Sequence, residues 1–299
     1  MCLAWLTGDS WPGDLFTHFP LQYLVGSSLA LLVLIFLRRW IFAAFALIVV
    51  LIQSIAMIIP FAGNVPKPKE TSQGEVLLHM HNIQARNENC QELRESFAGV
   101  KADVVLVVEL PRRTYECLRM KELGYSWELV KTREDSYGIG LFSKLPLDNP
   151  RVLTEYESLP TLAASIRVGE SSVNFLGVHT LPPKSKEYWL SRNVQMRQLA
   201  KDLAGGQIFS DNGPVIVAGD FNTTPWSQPY KAFIKDSGVI DVRQRTGRLM
   251  PTWPSWAPGY LFQIPIDHIF LSPDLSLKWV EIGRAIGSDH LSMTAKISF

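Results

Sequence analysis

The segment "VAGDFNTTP", residues 217–225, ends an apolar run in a carboxylate and an amide two positions apart. Side chains alternate along a strand, so Asp220 and Asn222 share one face and Phe221 takes the other. Other apolar runs close the same way: "HN" at Asn82, "VVEL" at Glu109 and "GVHT" at His179. "IDHIF" sets Asp267 inside an apolar run, and "SDHL" sets Asp289 and His290 just before the last one. Glu109 with Asn82 and Asp289 offers the hard oxygen ligands that magnesium or manganese prefers, without the thiolates or paired imidazoles of structural zinc. Asp220 can align an attacking water or take its proton, and Asn222 can hold that water or a phosphate oxygen. His290, oriented and kept cationic by Asp267, can donate to a phosphoryl oxygen as charge develops, and His179 can do so near the leaving group. Such a set is suited to hydrolysing a phosphoester.

These residues need strands to carry them. Short runs rich in Val, Ile, Leu and Phe, bounded by turn residues, predict strands over 76–83, 102–110, 137–143, 162–168, 172–180, 214–222, 265–272 and 291–299. Apolar residues at helical spacing predict helices over 89–100 and 187–204. Many strands with few helices point to packed sheets flanked by helices rather than a doubly wound nucleotide-binding sheet.

The 299 residues are enough for one large domain, and a net charge of +1 excludes polyelectrolyte character. Apolar residues are concentrated near the start. Residues 21–37 and 40–60 each approach the length needed to cross a bilayer, and Arg38 and Arg39 separate them. The pattern predicts a two-span hairpin over residues 1–60 with the arginines at its tip, a Pro/Gly/Lys/Glu-rich linker over 61–74 and a catalytic domain over 75–299. Counting basic residues places the tip in the cytoplasm and the domain beyond it. Cys2, Cys90 and Cys117 are too few for a disulfide framework; a Cys90–Cys117 bridge is possible, but spacing alone does not show it.

Seven ordered motifs, "HN" 81–82, "VVEL" 107–110, "YGIGLFSK" 137–144, "LGVHT" 176–180, "VAGDFNTTP" 217–225, "PIDHIFLS" 265–272 and "GSDHLSM" 287–293, resemble the endonuclease/exonuclease/phosphatase superfamily. The resemblance covers residues 75–299, and the two spans ahead of it are similar to bacterial membrane-tethered members. It implies an α+β fold, a four-layer α/β/β/α sandwich of the deoxyribonuclease I-like type preceded by a transmembrane helical hairpin. It further implies a Mg²⁺- or Mn²⁺-dependent phosphoester hydrolase with Glu109 as main metal ligand, Asn82 beside it and Asp289 in or near the metal shell. Asp220 aligns or activates water, Asn222 contacts phosphate or water, and Asp267 orients His290. His179 matches the position that is histidine in the deoxyribonuclease and sphingomyelinase branches.

The loop over 243–262 mixes Arg243, Arg245 and Arg248 with Trp253, Trp256 and Tyr260. Arg243, Arg245, Trp253 and Trp256 are therefore candidates for binding substrate, as cation plus ring suits single-stranded nucleic acid. The same composition suits a lipid interface, or a proline-stiffened loop packed over its own rings. His79, His81 and His268 read as structural. The partners expected are a membrane and a phosphoester, in nucleic acid or a lipid headgroup, with no obligate protein partner. The expected location is a bacterial inner membrane with the catalytic domain periplasmic. A nuclease, a phospholipid or sphingomyelin phosphodiesterase and a phosphoinositide phosphatase all fit. A noncatalytic membrane-linked binding module is the reading from another class.

Overall fold

A computed structural model describes residues 10–61, 74–209, 211 and 213–299. The linker expected over 61–74 lies, apart from its two ends, outside the described residues. Among the described residues three helices come first: α1 (Trp11–Thr17), α2 (Pro20–Phe36) and α3 (Trp40–Ile58). Ser10 caps α1 by accepting from Gly13 N at 3.3 Å, and Pro20 starts α2 where its missing N–H costs nothing. Arg38, at φ 55°, turns the chain so that α3 folds back along α2. At 1.5 Å per residue the two helices are about 26 and 28 Å long, close to the roughly 30 Å hydrocarbon core of a bilayer. Their polar interruptions meet each other, Ser27 Oγ donating to Gln53 Oε1 at 2.6 Å. Their outer faces are apolar and bare: Leu29, Phe36, Ile41 and Phe45 are all exposed. Trp40–Phe61 is long and apolar enough to cross a membrane, whereas α1 and α2 meet that test together as a pair bent by 67°.

The rest of the chain builds two six-stranded sheets. The first contains β1 (Glu75–Asn82), β2 (Val104–Val108), β3 (Trp127–Lys131), β4 (Ile139–Ser143), β11 (Ser276–Ile282) and β12 (Met293–Ser298). Its order is β11-β12-β1-β2-β4-β3. The second contains β5 (Leu147–Leu153), β6 (Thr161–Val168), β7 (Ser171–His179), β8 (Val215–Asp220), β9 (Ile240–Asp241) and β10 (Asp267–Leu271). Its order is β5-β6-β7-β8-β10-β9. β1 and β2 run parallel, joined through α4 (Cys90–Val100); β7 and β8 run parallel, joined through α6 (Lys186–Ala204). A crossover longer than a hairpin is what parallel neighbours require.

Alternation assigns each strand's two faces to two different cores. Val76, Leu78 and Met80 of β1 and Leu106 and Val108 of β2 pack against Phe175, Ile216, Ala218 and Ile269 of the other sheet. Val105, Val107 and Phe142 face outward under α4 and α5 (Arg112–Leu118), meeting Leu93, Phe97 and Leu118. Leu176, Val217 and Phe270 face outward under α6 and α7 (Gln228–Ser237), meeting Met196, Leu199 and Phe233. Three apolar seams therefore separate four layers, helix, sheet, sheet and helix. A disulfide between Cys90 and Cys117 ties α4 to α5.

The helical hairpin is fastened to this sandwich at its base. Trp226 Nε1 donates to Met57 O at 3.2 Å, and Phe61 lies edge-on to the Trp226 ring. Gln22 Nε2 donates to Leu261 O and Gln263 O, each at 3.3 Å. From α1, Trp11 Nε1 donates to Pro183 O at 2.8 Å, and His18 Nδ1 lies 3.0 Å from Thr224 Oγ1. Fully buried Arg192 donates through Nη2 to Asp14 Oδ2 at 2.6 Å and through Nη1 to Asn222 O at 2.8 Å. Removing one member of a buried pair strands the other charge, which costs about 3–5 kcal/mol. Asp14→Ala is accordingly expected to lower thermal stability by that order, while Asp14→Asn, which keeps an acceptor, loses less. Melts of the full chain in detergent check this, and equal melting of wild type and Asp14→Ala contradicts it.

Candidate active site

Four of the strands that face the inter-sheet seam carry at one end a polar residue of the same parity. After Leu78 and Met80 comes Asn82; after Ile216 and Ala218 comes Asp220; before Ile269 and Leu271 stands Asp267; beyond Val173 and Phe175 lies His179. The seam thus becomes polar at one rim. In the second sheet Asp220 pairs with His179 on one side and with Asp267 on the other, so neighbouring strands bring the three together. Asn82 arrives from the opposite sheet and donates through Nδ2 to Asp220 Oδ2 at 3.0 Å and to Glu109 Oε1 at 3.2 Å.

Backbone conformation is spent on this rim. Glu109 at φ 59° and Asn222 at φ 49° both hold left-handed backbone, which costs about 1–3 kcal/mol each and persists only where surroundings enforce it. Ala85 N donates to Glu109 Oε2 at 2.9 Å, and Asn222 N donates to Asp220 Oδ1 at 2.9 Å, fixing both carboxylates. Gly219, at φ 151°, has no alternative: a Cβ there would sit 1.8 Å from Val178 O.

A cleft of ≈ 860 Å³ opens at this rim, lined among others by Glu109, His179, Asp220, Asn222, Asp289 and His290. Asn82 and Asp267 stand behind these and are bonded to them. His290 Nδ1 donates to Asp267 Oδ2 at 2.8 Å, and His290 Nε2 lies 3.7 Å from Asp220 Oδ2. Burial disfavours the imidazolium, but Asp267 and Asp220 overcome it and push His290 up to about 10. Burial, with Asp267 adding to it, pushes Asp220 up to about 8. Burial lowers His179 to about 4, so it is neutral, a donor without charge, 3.7 Å from Asp220. The pair predicts a kinetic signature. Asp267→Asn withdraws the charge that holds His290 cationic and is expected to lower kcat by about 10²-fold with KM little changed. A steady-state comparison checks this, and an unaltered kcat contradicts it.

Glu109, Asp220, Asp267 and Asp289 place four carboxylates at the rim, and among the described residues no Lys or Arg forms an ion pair with any of them. Asp220, Asp267 and His290 offer donor atoms all within 4.8 Å of one another and form a group that could hold a cation. There, however, His290 Nδ1 is already engaged by Asp267 at 2.8 Å, and the imidazolium charge lies 3.7 Å from Asp220. Among the described residues Glu109 accepts from Asn82 and Ala85, and Asp289 Oδ2 accepts from Trp253 Nε1 at 3.1 Å. An all-oxygen set with surplus negative charge fits a hard divalent ion.

Two arginines expected to bind substrate do not line the cleft. Arg243, in the short helix α8 (Val242–Thr246), is fully buried and donates to Leu249 O at 2.9 Å and Met250 O at 2.8 Å, beside Asp241 and His268. It holds the loop's path, and Arg245 on the same helix is likewise absent from the lining. Trp256 sits at the exposed loop tip, whereas Trp253 lines the cleft and positions Asp289. The cations that do line the cleft are exposed Arg86, Arg113 and Lys184, which come from three separate segments of the chain. Tyr137, inside "YGIGLFSK", lies 5.3 Å ring to ring from His179, and Leu15, His18 and Phe19 of the N-terminal segment also line the cleft. His79 is buried with Nδ1 2.8 Å from Thr294 Oγ1, His81 Nε2 lies 3.3 Å from His290 O, and His268 bonds Asp241 and Thr223.

A two-sheet sandwich with this polar rim is that of a phosphoester hydrolase. The chain belongs to the Endonuclease/Exonuclease/phosphatase family, matched over residues 81–290. No curated protein matches it by sequence. It is similar in fold to the endonuclease/exonuclease/phosphatase from Bacteroides vulgatus, at 18% identity and a TM-score of 0.62, over 76% of this chain and 100% of that one. D. rerio TDP2 complexed with single strand DNA product is similar at 17% identity and a TM-score of 0.61, over 76% of this chain and 100% of that one. The endonuclease/exonuclease/phosphatase from Beutenbergia cavernae is similar at 17% identity and a TM-score of 0.56, over 75% of this chain and 72% of that one.

Proposed function

We propose that this chain is a divalent-metal-dependent phosphodiesterase, held in a membrane by the α2–α3 hairpin. The observation that carries the catalytic reading is the rim itself: four carboxylates from both sheets, one imidazolium and no Lys or Arg paired to them among the described residues. Glu109 and Asn82, with Asp289 on the cleft wall, would hold Mg²⁺ or Mn²⁺, which supplies Lewis-acid stabilisation of charge on the phosphoryl oxygens. Asp220 in its ionised form, a stronger base than an ordinary carboxylate and more populated as the pH rises toward about 8, accepts the proton of the attacking water. Asn222 donates its amide to Thr180 O at 2.9 Å, leaving Oδ1 to orient that water. His290, cationic on Asp267, donates through Nε2 to the phosphoryl oxygen where charge builds. His179 donates to the departing oxygen as a neutral imidazole. Arg86, Arg113 and Lys184 at the mouth attract the anionic group.

The bare apolar faces of α2 and α3 support the anchor, because water solvates such surface at high cost. The Cys90–Cys117 disulfide supports an oxidising compartment for the domain, in line with a cytoplasmic Arg38–Arg39 tip. A nucleic-acid phosphodiester is the second reading, favoured by the D. rerio neighbour solved with single strand DNA product. Bis(p-nitrophenyl) phosphate tests the reaction with the full chain in detergent: chelator should abolish release of nitrophenol, and Mg²⁺ or Mn²⁺ should restore it. Undiminished release under chelator overturns metal dependence, and no turnover of any phosphoester under any metal favours the binding module.

A further inference from the structure

We propose that the mouth of the cleft is seated on the bilayer surface and takes its phosphodiester from a lipid in the membrane plane. The inference rests on the anchored-phosphodiesterase reading and names its substrate class. Its first support is a projection from the cleft wall. Trp253 and Ile264 pair by 3.1 and 2.6 Å backbone hydrogen bonds, and both line the cleft. Between them the chain runs out to a tip where Trp256, Tyr260, Leu261 and Phe262 are all more than half exposed, Leu261 at 75%. A soluble surface seldom leaves four large apolar side chains together in water.

The second support is where that tip lies. Gln22, in the first turn of α2, donates to Leu261 O and Gln263 O, so the apolar tip adjoins the base of the apolar hairpin. The bend of 67° turns α1 away from the hairpin direction and onto the sandwich, where Asp14 reaches Arg192 and Leu15, His18 and Phe19 line the cleft. Phe16 of α1 is 60% exposed on the same segment. Exposed Phe16 and the 256–262 tip thus both stand on segments joined to the base of the anchor, and aromatic side chains so placed partition into the headgroup layer. The exposed cations of the mouth, Arg86, Arg113 and Lys184, supply the complementary charge for lipid phosphate. Water then attacks phosphorus at Asp220, the phosphorus–oxygen bond to one lipid-borne alcohol breaks, and that alcohol leaves with a proton.

A depth measurement and an activity measurement test this together, using the full chain in phosphatidylcholine/phosphatidylglycerol vesicles with Cys2→Ser as background. A nitroxide at Leu261→Cys should be more accessible to oxygen than to a water-soluble nickel complex. A nitroxide at Asp274→Cys, beyond the other end of β10, should show the reverse. An aqueous signature at Leu261 overturns the seating. Leu261→Ser combined with Phe262→Ser should lower phosphate-ester release from vesicle lipid by about tenfold, the order expected from withdrawing two apolar side chains from an interface, and leave hydrolysis of bis(p-nitrophenyl) phosphate unchanged. An equal loss on both substrates, or no loss on lipid, overturns the proposal. Faster turnover of a single-stranded oligonucleotide than of vesicle lipid assigns the substrate to nucleic acid and overturns it too. A wild type that hydrolyses no phosphodiester removes the catalytic reading and the lipid substrate with it, while the label depth still decides the seating. Failure of the chain to float with vesicles removes the anchor.

Discussion

Asp220→Ala is expected to reduce phosphodiester hydrolysis by about 10³-fold or more, the upper range for removing a general base that also fixes its neighbours. Asp220 joins several arms of the rim: it accepts from Asn82 of the other sheet at 3.0 Å and from Asn222 N at 2.9 Å, and lies 3.7 Å from both imidazoles. It is also buried, and burial with the charge of Asp267 pushes it up to about 8, so near neutral pH folding must draw a proton onto it at a cost. Replacing it by alanine removes that cost. The variant should therefore melt at or above the wild-type temperature while turnover collapses, a combination that loss of folding cannot produce. Asp220→Asn, similar in shape, should lose activity to a comparable degree. Steady-state rates beside thermal melts decide the matter, and a loss smaller than tenfold would remove Asp220 from the chemistry.

Glu109→Gln is expected to raise the metal concentration that half-saturates activity by roughly 10²-fold, since a first ligand contributes at least as much as the outer partners that orient one. The substitution is nearly isosteric. A glutamine retains one oxygen to accept from Asn82 Nδ2 or Ala85 N, and the left-handed turn at φ 59° makes no demand on the side-chain charge. Folding should survive, leaving charge as the variable. Titrating Mg²⁺ and Mn²⁺ against wild type and variant provides the readout. An unchanged metal curve would move the binding group to Asp220, Asp267 and His290, whose donor atoms are the most closely gathered.

How far the fold could be read depended on position in each sheet. The interior strands β1, β2, β4, β6, β7, β8, β10 and β12 were legible because burial on both faces leaves an apolar run. Expected strands at 76–83 and 265–272 lie within two residues of Glu75–Asn82 and Asp267–Leu271. The strands that the apolar runs miss are β3, β5, β9 and β11, which are the four sheet edges. An edge strand faces water: "LDNPRVL" of β5 carries Pro150 and an exposed centre, and "SLKWVEI" of β11 buries Val280 alone. Charge and proline at edges discourage pairing with another chain, and they also erase the pattern. α5 and α7, of 7 and 10 residues, are too short to show a helical period.

The rim residues declared themselves along the chain, because a polar side chain that keeps the parity of a buried face has no reason to be there unless the seam ends at it. Asn82, His179, Asp220 and Asp267 all obey this, and the chemistry open to them followed from residue type. Which cations serve the cleft did not follow. Arg243 sat in an aromatic-rich segment and looked like a phosphate contact, yet its guanidinium lies in the core against carbonyls, while Arg86, Arg113 and Lys184, from three separate segments, reach the mouth. A linear pattern carries local periodicity; it has no term for the closure of distant segments. The docking of α1 beside the cleft depends on Asp14 finding Arg192, 178 positions away, on a helix that is in place only once it has packed on its sheet.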